Sequence, residues 1–168
     1  MPQETATGYI NALELLRHPE GGWFRESYRS TEQFAADCLP QRFGGSRSLS
    51  TAIYFLLEQG DFSALHRIKS DELWHFYHGS ALIIHTISPD GNYQQLSLGP
   101  DLAAGEHFQV MAPAGYWFGA ELKGKGFSLV GCTVAPGFDF TDFDLGNREQ
   151  LQQHYPLHAD MIKYMTRT

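Results

Sequence analysis

The sequence contains little cysteine and no long apolar run. Among 168 residues there are two cysteines, Cys38 and Cys132, which lie far apart and form no C-x-x-C pair. This spacing argues against a disulfide scaffold and favours reduced thiols, so we expect a cytoplasmic protein. The first residues, MPQETATGYINALELL, lack the basic stretch and apolar core of a signal peptide. No apolar run approaches the roughly 20 residues that span a bilayer, so we expect no membrane partner.

Positive charge is also scarce. Lysine and arginine number 12 against 19 acidic residues, a formal net charge of −7, and the basic residues form no cluster. Such a surface repels a polyanion, so we predict no nucleic-acid partner. The chain is 42% hydrophobic and 14% aromatic, which suffices for a core and for an aromatic-lined cavity. Its length suits one domain, which we assign to residues 1–168.

Most of the chain has the pattern of short β-strands between two helical ends. Apolar residues at helical spacing predict a helix over about residues 7–17, with Thr7 as its cap. Apolar and β-branched segments separated by Gly/Pro turns predict strands over about residues 22–145. Helices are predicted again over about residues 147–166, where Asn147 is a suitable N-cap. The predicted fold class is therefore all-β, a barrel or sandwich with short terminal helices.

The segment GDFSALHRIKSDELWHFYHG, residues 60–79, combines histidines and acids with apolar residues. Side chains on a strand alternate between its two faces. If one face of this strand–turn–strand unit lines a barrel interior, His66 and Glu72 meet inside it, and His75 points the other way. The apolar residues on the inner face are then Ile68, Trp74 and Phe76.

This segment resembles the first sequence motif of the cupin superfamily. Gly60, His66, Glu72 and Gly79 stand in the matching places, and Ile68 stands where the motif has its second histidine. The resemblance implies the cupin fold, a double-stranded β-helix or jelly-roll barrel.

The second cupin motif is present in part. Pro113-Ala114-Gly115 matches it, but its histidine position holds Phe118. The chain as a whole is similar to the small single-domain cupin subfamily catalogued as a domain of unknown function (DUF985), which is related to metal-free sugar-nucleotide epimerase-like cupins. The segments that carry this resemblance are HPEGGWFRESYRS, STAIYFLL, HRIKSDELWHFYHG, PAGYWF and SLVGCTVAPGFDFTDFDL.

The resemblance also bears on metal binding. A typical cupin metal site uses three histidines and one glutamate, and two of those four positions are Ile68 and Phe118 here. His66 and Glu72 alone would leave most of the coordination of iron, manganese or zinc to water. We therefore expect no transition metal and no other cofactor; if a metal does bind, His66 and Glu72 are its ligands.

Three functions are compatible with this interpretation. In the first, the barrel binds a small molecule, carbohydrate-like or nucleotide-like, with His66 and Glu72 as polar anchors. In the second, an epimerase or isomerase acts on a sugar-type substrate with His66 as general base. The third and least favoured is a metal-dependent cupin enzyme, and the pair can equally be what is left of a lost metal site. The residues expected to bind the ligand are Ile68, Trp74, Phe76, Phe118, Trp117, Tyr54 and Arg25. The candidate acids are Tyr54, Tyr77 and Tyr116.

Cupins commonly pair through the edges of their sheets, and the resemblance extends this expectation to the present chain. The predicted strand GWFRESYRS can cross to a second copy and cover an exposed edge. We therefore predict a homodimer, with a small-molecule ligand as the other partner.

Overall fold

Two antiparallel β-sheets face each other and enclose the interior of the protein. The computed structural model describes residues 4–167, and residues 1–3 and 168 of the predicted domain lie outside that range. The strands are β1 (Leu16–Arg17), β2 (Trp23–Arg29), β3 (Gln33–Phe34), β4 (Arg47–Ser48), β5 (Thr51–Glu58), β6 (Phe62–Arg67), β7 (Asp71–Gly79), β8 (Leu82–Ile87), β9 (Tyr93–Leu98), β10 (Gln109–Ala112), β11 (Trp117–Leu122), β12 (Phe127–Ala135) and β13 (Asp144–Leu145). The helices are α1 (Ala6–Ala12), α2 (Arg148–His154) and α3 (Ala159–Tyr164), with short 3-10 helices at Ala36–Cys38, Leu102–Ala104, Phe140–Asp142 and Pro156–His158.

The strand order is that of a jelly roll. The larger sheet has the order β1-β2-β5-β12-β7-β10, the smaller sheet has the order β13-β6-β11-β8-β9, and β3 pairs with β4 separately. Strands far apart in sequence are therefore neighbours, as β12 is to both β5 and β7. This arrangement confirms the predicted all-β double-stranded β-helix. The inward side chains of both sheets interdigitate into one core, which includes Phe55, Trp74, Ile84, Phe118 and Val130.

The first helix is shorter than the sequence predicts. Thr5, not Thr7, is its N-cap, and its side-chain oxygen accepts a hydrogen bond from the Gly8 N–H. The helix ends at Ala12 rather than near residue 17. Glu14 has a φ of 52°, in the left-handed region that a helix cannot continue through. Of the apolar residues beyond it, which also fit a helical pattern, Leu15 lies in the connection and Leu16 belongs to β1.

The terminal helices lie on the outer faces of the two sheets. At the C-terminal end, the Asn147 side chain accepts a hydrogen bond from the Gln150 N–H, as expected of an N-cap. The C-terminal helices cover the smaller sheet through Leu151, Ile162 and Met165, which pack against Leu65 and Ile87. At the other end, α1 packs on the larger sheet at Leu56 and Leu129. Within residues 4–167, no helix is long and apolar enough to cross a membrane.

One end of the barrel interior is bordered by two irregular segments. The first is the turn of residues 18–22 between β1 and β2, and the second is the segment of residues 136–143 after β12. A Cβ on Gly21 would lie 2.2 Å from the Phe62 carbonyl oxygen, and Gly21 has a φ of 114°. Glycine is therefore required for the turn to approach β6 so closely. This contact, together with the hydrogen bond from the Ala64 N–H to the Glu20 carbonyl, holds Glu20 at the barrel interior.

Candidate functional site

A cavity of about 310 Å³ opens into the barrel beside these two segments. Both sheets contribute to its wall, and the residues predicted to meet inside the barrel lie there together. Its wall contains more ionisable groups than the sequence motif supplies. Its titratable residues include His18, Glu20, His66, Glu72 and Cys132.

Glu20 and His66 form the central contact of this site. Both side chains are almost fully buried, and Nε2 of His66 lies 3.2 Å from a Glu20 carboxyl oxygen. The other ring nitrogen, Nδ1, lies 2.8 Å from the Ala64 carbonyl oxygen. Because a carbonyl oxygen can only accept, Nδ1 carries a hydrogen and donates it. Nε2 of the neutral ring therefore turns its lone pair toward the Glu20 oxygen, and a proton on Glu20 would lie within reach of both atoms.

The environment decides where that proton rests. Burial raises the pKa of Glu20, and burial lowers the pKa of His66. Both shifts disfavour charge, so the neutral acid beside a neutral imidazole is preferred over the ion pair. The second Glu20 oxygen accepts a hydrogen bond of 2.7 Å from the Ser63 hydroxyl, which fixes the carboxyl plane.

His18 lies on the other side of the same Glu20 oxygen. Its Nδ1 is 3.4 Å from that oxygen and accepts a 3.3 Å hydrogen bond from the Glu20 N–H. A ring nitrogen that accepts has a free lone pair, so this imidazole is neutral as well. Burial lowers the pKa of His18 in agreement with that assignment. The Glu20 carboxyl is thus placed between two imidazoles, each of which can take its proton.

Glu72 is the second acid–base group of the cavity. Burial raises the pKa of Glu72 to about 7, while His66 lowers it and Glu20 raises it further. The Cys132 thiol hydrogen-bonds to this carboxyl, and burial raises the pKa of Cys132 well above its ordinary value. The thiol therefore stays protonated as a donor. Glu72, in contrast, changes its protonation state close to neutral pH.

Phenylalanine side chains complete the cavity wall. Phe24 comes from β2, and Phe138, Phe140 and Phe143 come from the 136–143 segment. The rings of Phe138 and Phe140 lie 4.9 Å apart between centroids at 81°, and the Phe143 ring stands at 71° to both. Such edge-to-face contacts show that these rings pack against one another and form an apolar part of the wall.

Three of the predicted site residues lie together in this cavity, namely His66, Glu72 and Ile68. Trp74 and Phe118 lie in the core instead, and the Phe118 ring supports the His66 imidazole with 4.2 Å between centroids. Phe76 packs against the same core. Their placement therefore makes these three aromatic residues a support for the site rather than a surface for the ligand.

The remaining predicted ligand contacts lie away from the cavity. Trp117 packs among the residues beneath the C-terminal helices, with the Arg67 guanidinium 4.7 Å from its ring centroid. Tyr54 packs against the cluster of Leu15, Leu56 and Leu129 and against the ring of Tyr77, and Arg25 is paired with Glu14 at the surface. Their positions give the ligand-binding prediction no support. The candidate acids Tyr54, Tyr77 and Tyr116 are likewise absent from the cavity wall.

Glu20, His18 and the 136–143 phenylalanines are the site residues that sequence reasoning missed. Their parity cannot be counted because they lie in a turn and in an irregular segment. One signal was present in HPEGG, where an acid stands between a proline and two glycines. A tight turn with an acid at its tip is a common way to direct a carboxyl at a site.

Comparison with known proteins identifies the family. Residues 7–146 match the family described as Cupin superfamily (DUF985). The chain belongs to this cupin family. The uncharacterized protein YML079W of Saccharomyces cerevisiae is 28% identical over 165 residues, spanning 91% of this cupin and 81% of the yeast protein. The predicted family is therefore confirmed.

Solved structures agree with the fold of this cupin. Protein SO0799 from Shewanella oneidensis is 43% identical with a TM-score of 0.89, over 98% of this chain and 99% of that one. A hypothetical protein from Leishmania major is 34% identical with a TM-score of 0.90, over 98% of this chain and 100% of that one. Oxalate decarboxylase from Bacillus subtilis is 14% identical with a TM-score of 0.54, over 89% of this chain and 36% of that one. This last likeness shows the shared fold alone.

The donor set of this cupin does not fit a transition metal held in the usual cupin manner. Ile68 and Phe118 offer no donor atom, and Nε2 of His66 is engaged with Glu20. Across residues 4–167, no group of three or more His, Cys, Asp or Glu side chains has an arrangement that could hold a metal ion.

Proposed function

We propose that this cupin binds a small molecule in its barrel cavity and transfers a proton on it, in the manner of an isomerase or epimerase. The observation that carries the proposal is the 3.2 Å contact between the Glu20 carboxyl and Nε2 of His66 in a cavity that also contains Glu72. General acid–base catalysis needs groups that hold and release protons near neutral pH. Two such units with different environments are the usual arrangement for separate acid and base roles.

The proposed step moves one proton from carbon and one to oxygen. The Glu72 carboxylate takes a proton from the carbon next to a substrate carbonyl. The electrons of that C–H bond form the C=C bond of an enol, and the carbonyl oxygen takes the proton of the Glu20 carboxyl beside His66. When the deprotonated carbon carries a hydroxyl, Glu72 then returns its proton to the former carbonyl carbon, and Glu20 with His66 takes the proton of that hydroxyl as the new carbonyl forms. This completes the isomerisation, and no oxidant or other reactant is consumed.

The dimensions of the cavity support a compact substrate. A volume of about 310 Å³ lies at the lower end of the range of ligand pockets. It suits a molecule of the size of one sugar ring better than a complete nucleotide. The apolar rings of the 136–143 segment then face the C–H surface of the ligand, while the acids and imidazoles contact its polar groups.

Deuterium exchange tests this proposal without knowledge of the product. The protein is incubated in D₂O with a panel of small carbonyl metabolites, and loss of C–H signals is followed by NMR. We expect exchange on at least one compound, and we expect His66→Gln and Glu72→Gln each to slow it about a hundredfold or more. His107→Gln, which removes an exposed imidazole outside the cavity wall, is the matched control.

Two results would contradict the proposal. If His66→Gln kept the wild-type exchange rate, the contact between Glu20 and His66 would have no role in chemistry. If a compound bound in the cavity but showed no exchange, the cavity would serve for binding alone. Dialysis against a chelator is expected to leave the rate unchanged, and a loss restored by one added metal would instead support the metal-dependent alternative.

A further inference from the structure

Carboxyl groups outnumber cationic side chains in the cavity wall. Four carboxyl groups line it, and the one guanidinium, that of Arg29, is paired with Glu26. Arg29 Nε and Nη2 donate to the Glu26 carboxylate at 2.9 and 2.7 Å, and Nη2 also donates to the Phe138 carbonyl oxygen at 3.0 Å. Because burial favours the neutral form of Glu20, the carboxylates that remain for a ligand are those of Glu72 and Asp139. A phosphate or carboxylate ligand would meet these two carboxylates and would have to compete with Glu26 for the guanidinium.

Glu72 is buried without the donors that a carboxylate needs. It is 7% exposed and faces the cavity. Its hydrogen-bond partner within residues 4–167 is the Cys132 thiol, a weak donor. A carboxylate can accept about four hydrogen bonds, so most of its capacity is directed at whatever fills the cavity. A positively charged ligand group would satisfy it.

The aromatic part of the cavity wall suits an organic ammonium group, which holds its hydration water weakly. The rings of Phe24, Phe138, Phe140 and Phe143 line the same cavity as Glu72. The faces of aromatic rings attract ammonium groups, and cages of aromatic rings are a recurrent site for quaternary and methylated amines. Asp139 adds a carboxylate to this set. Its pKa is held low by hydrogen bonds from the Thr141 hydroxyl and N–H, so it stays ionised.

We propose that the ligand of this cavity is a small organic cation, a protonated or quaternary amine, with its ammonium group among the phenylalanine rings and against the carboxylates of Glu72 and Asp139. This inference deepens the proposed function, on which it rests, because it gives the substrate class: an amine-bearing molecule of about the size of one sugar ring. It also separates this site from one that selects a sugar nucleotide, whose phosphates would be repelled here.

The site also links cation binding to pH. The groups that face Glu72 are His66 from β6, Glu20 from the 18–22 turn and Cys132 from β12. Because the pKa of Glu72 is about 7, its ionised fraction rises from about a tenth at pH 6 to about nine tenths at pH 8. Burial lowers the pKa of His66, which disfavours a charged imidazolium beside the ligand. Cation affinity is therefore expected to rise about tenfold between these pH values.

Matched probes test the inference directly. Choline and tetramethylammonium are compared with 3,3-dimethylbutan-1-ol, the uncharged isostere of choline, and with acetate, by calorimetry on the full chain at pH 6 and pH 8. We expect both ammonium ions to bind at least about tenfold more tightly than the alcohol at pH 8, and acetate to show no binding. Binding of the cations at pH 7 is expected to release protons, seen as an enthalpy that depends on the buffer.

Two variants assign the effect to the cavity. Glu72→Gln is expected to weaken choline binding about tenfold and to leave the alcohol within about twofold, whereas Glu149→Gln on the surface of α2 changes neither. Phe140 is 55% exposed, so its substitution is safe for folding, and Phe140→Leu is expected to weaken choline binding about fivefold while Phe140→Tyr keeps it.

Some results would overturn the inference. These are no binding of either ammonium ion, equal binding of the alcohol, or tighter binding of acetate. Cation binding without deuterium exchange would refute the proposed catalysis and keep this inference. Exchange on an uncharged compound that choline does not displace would support the proposed catalysis and refute this inference.

Discussion

Glu72 costs the folded protein stability whenever it is ionised. Its pKa is about 7 in the folded state, against an ordinary value of 4.5. Between these pH values the folded protein retains a proton that the unfolded chain has released. Stability contributed by this group is thus fully present below pH 4.5 and is lost as pH rises through 7. A shift of this size corresponds to roughly 3 kcal/mol.

Replacement by glutamine removes this pH dependence. Between pH 5 and pH 8, we expect the free energy of unfolding of Glu72→Gln to rise by roughly 3 kcal/mol relative to the wild type. Urea unfolding of both proteins at the two pH values measures the difference. The same pH trend in both proteins would show that Glu72 is not the group responsible.

How far the sequence predicts single site residues depends on strand parity. His66, Ile68 and Glu72 lie in the cavity as alternation along two paired strands requires. Trp74 obeys the same parity and faces inward, yet it is 1% exposed in the core, because parity gives the face but not the depth. Glu20 lies on no strand, and its position depends on how closely a turn packs against β6. No periodicity encodes that distance.

At the scale of elements, one buried ion pair anchors the segment that carries three of the cavity phenylalanines. Arg47, on β4, donates from Nε and Nη2 to the two carboxyl oxygens of Asp142, at 2.6 Å each. The side chains are 6% and 5% exposed. Loss of one partner leaves the other charge buried, which is far more costly than loss of a surface pair. The Lys69 ammonium, 3.2 Å from Asp142, offsets part of that cost.

Arg47→Met is therefore expected to destabilise the protein by about 2 to 3 kcal/mol. The double variant Arg47→Met/Asp142→Leu is expected to recover much of this loss, since it leaves no buried charge from the pair. Arg67→Met is the control because the Arg67–Asp144 pair is exposed and worth about 1 kcal/mol or less. Urea unfolding compares the three variants, and equal effects of Arg47→Met and Arg67→Met would argue against the anchor.

Element types followed from the sequence more reliably than element ends. The central strands and C-terminal helices have clear periods and clear turn residues, and they form as predicted. Helix α1 is different, because Leu13, Leu15 and Leu16 satisfy a helical pattern while Glu14 adopts the left-handed conformation. The burial of Leu15 against the larger sheet decides this, and such a tertiary contact is not visible in a local pattern.

At the scale of the whole molecule, the outer face of the larger sheet is only partly covered. Helix α1 protects one end of the outer face, and within residues 4–167 no helix packs around Tyr77, which is 50% exposed. Met111, on the edge strand β10, is 43% exposed on the same face. The His75 imidazole there is already paired, since it contacts the Thr133 hydroxyl and the Gln109 amide at 2.9 Å each. It can therefore be buried without leaving its ring nitrogens unpaired.

We predict that a second copy of the chain covers this outer face as a two-fold homodimer. The exposed Tyr77 and Met111 side chains would be buried against the same patch of the copy, and the two-fold closes the assembly. Strand β2 pairs with β5 of its own chain, so this dimer needs no exchange of strands.

Sedimentation velocity over a concentration series measures the association, and the wild type is expected at twice the chain mass. Tyr77→Asp places a charge at the centre of the patch and is expected to shift the population toward monomer. Leu157 is 93% exposed and lies in the C-terminal 3-10 helix, away from the patch. Leu157→Asp is therefore expected to leave the dimer intact. Wild-type protein that sediments as a monomer at every concentration would refute the dimer, and equal dissociation by both variants would refute this interface.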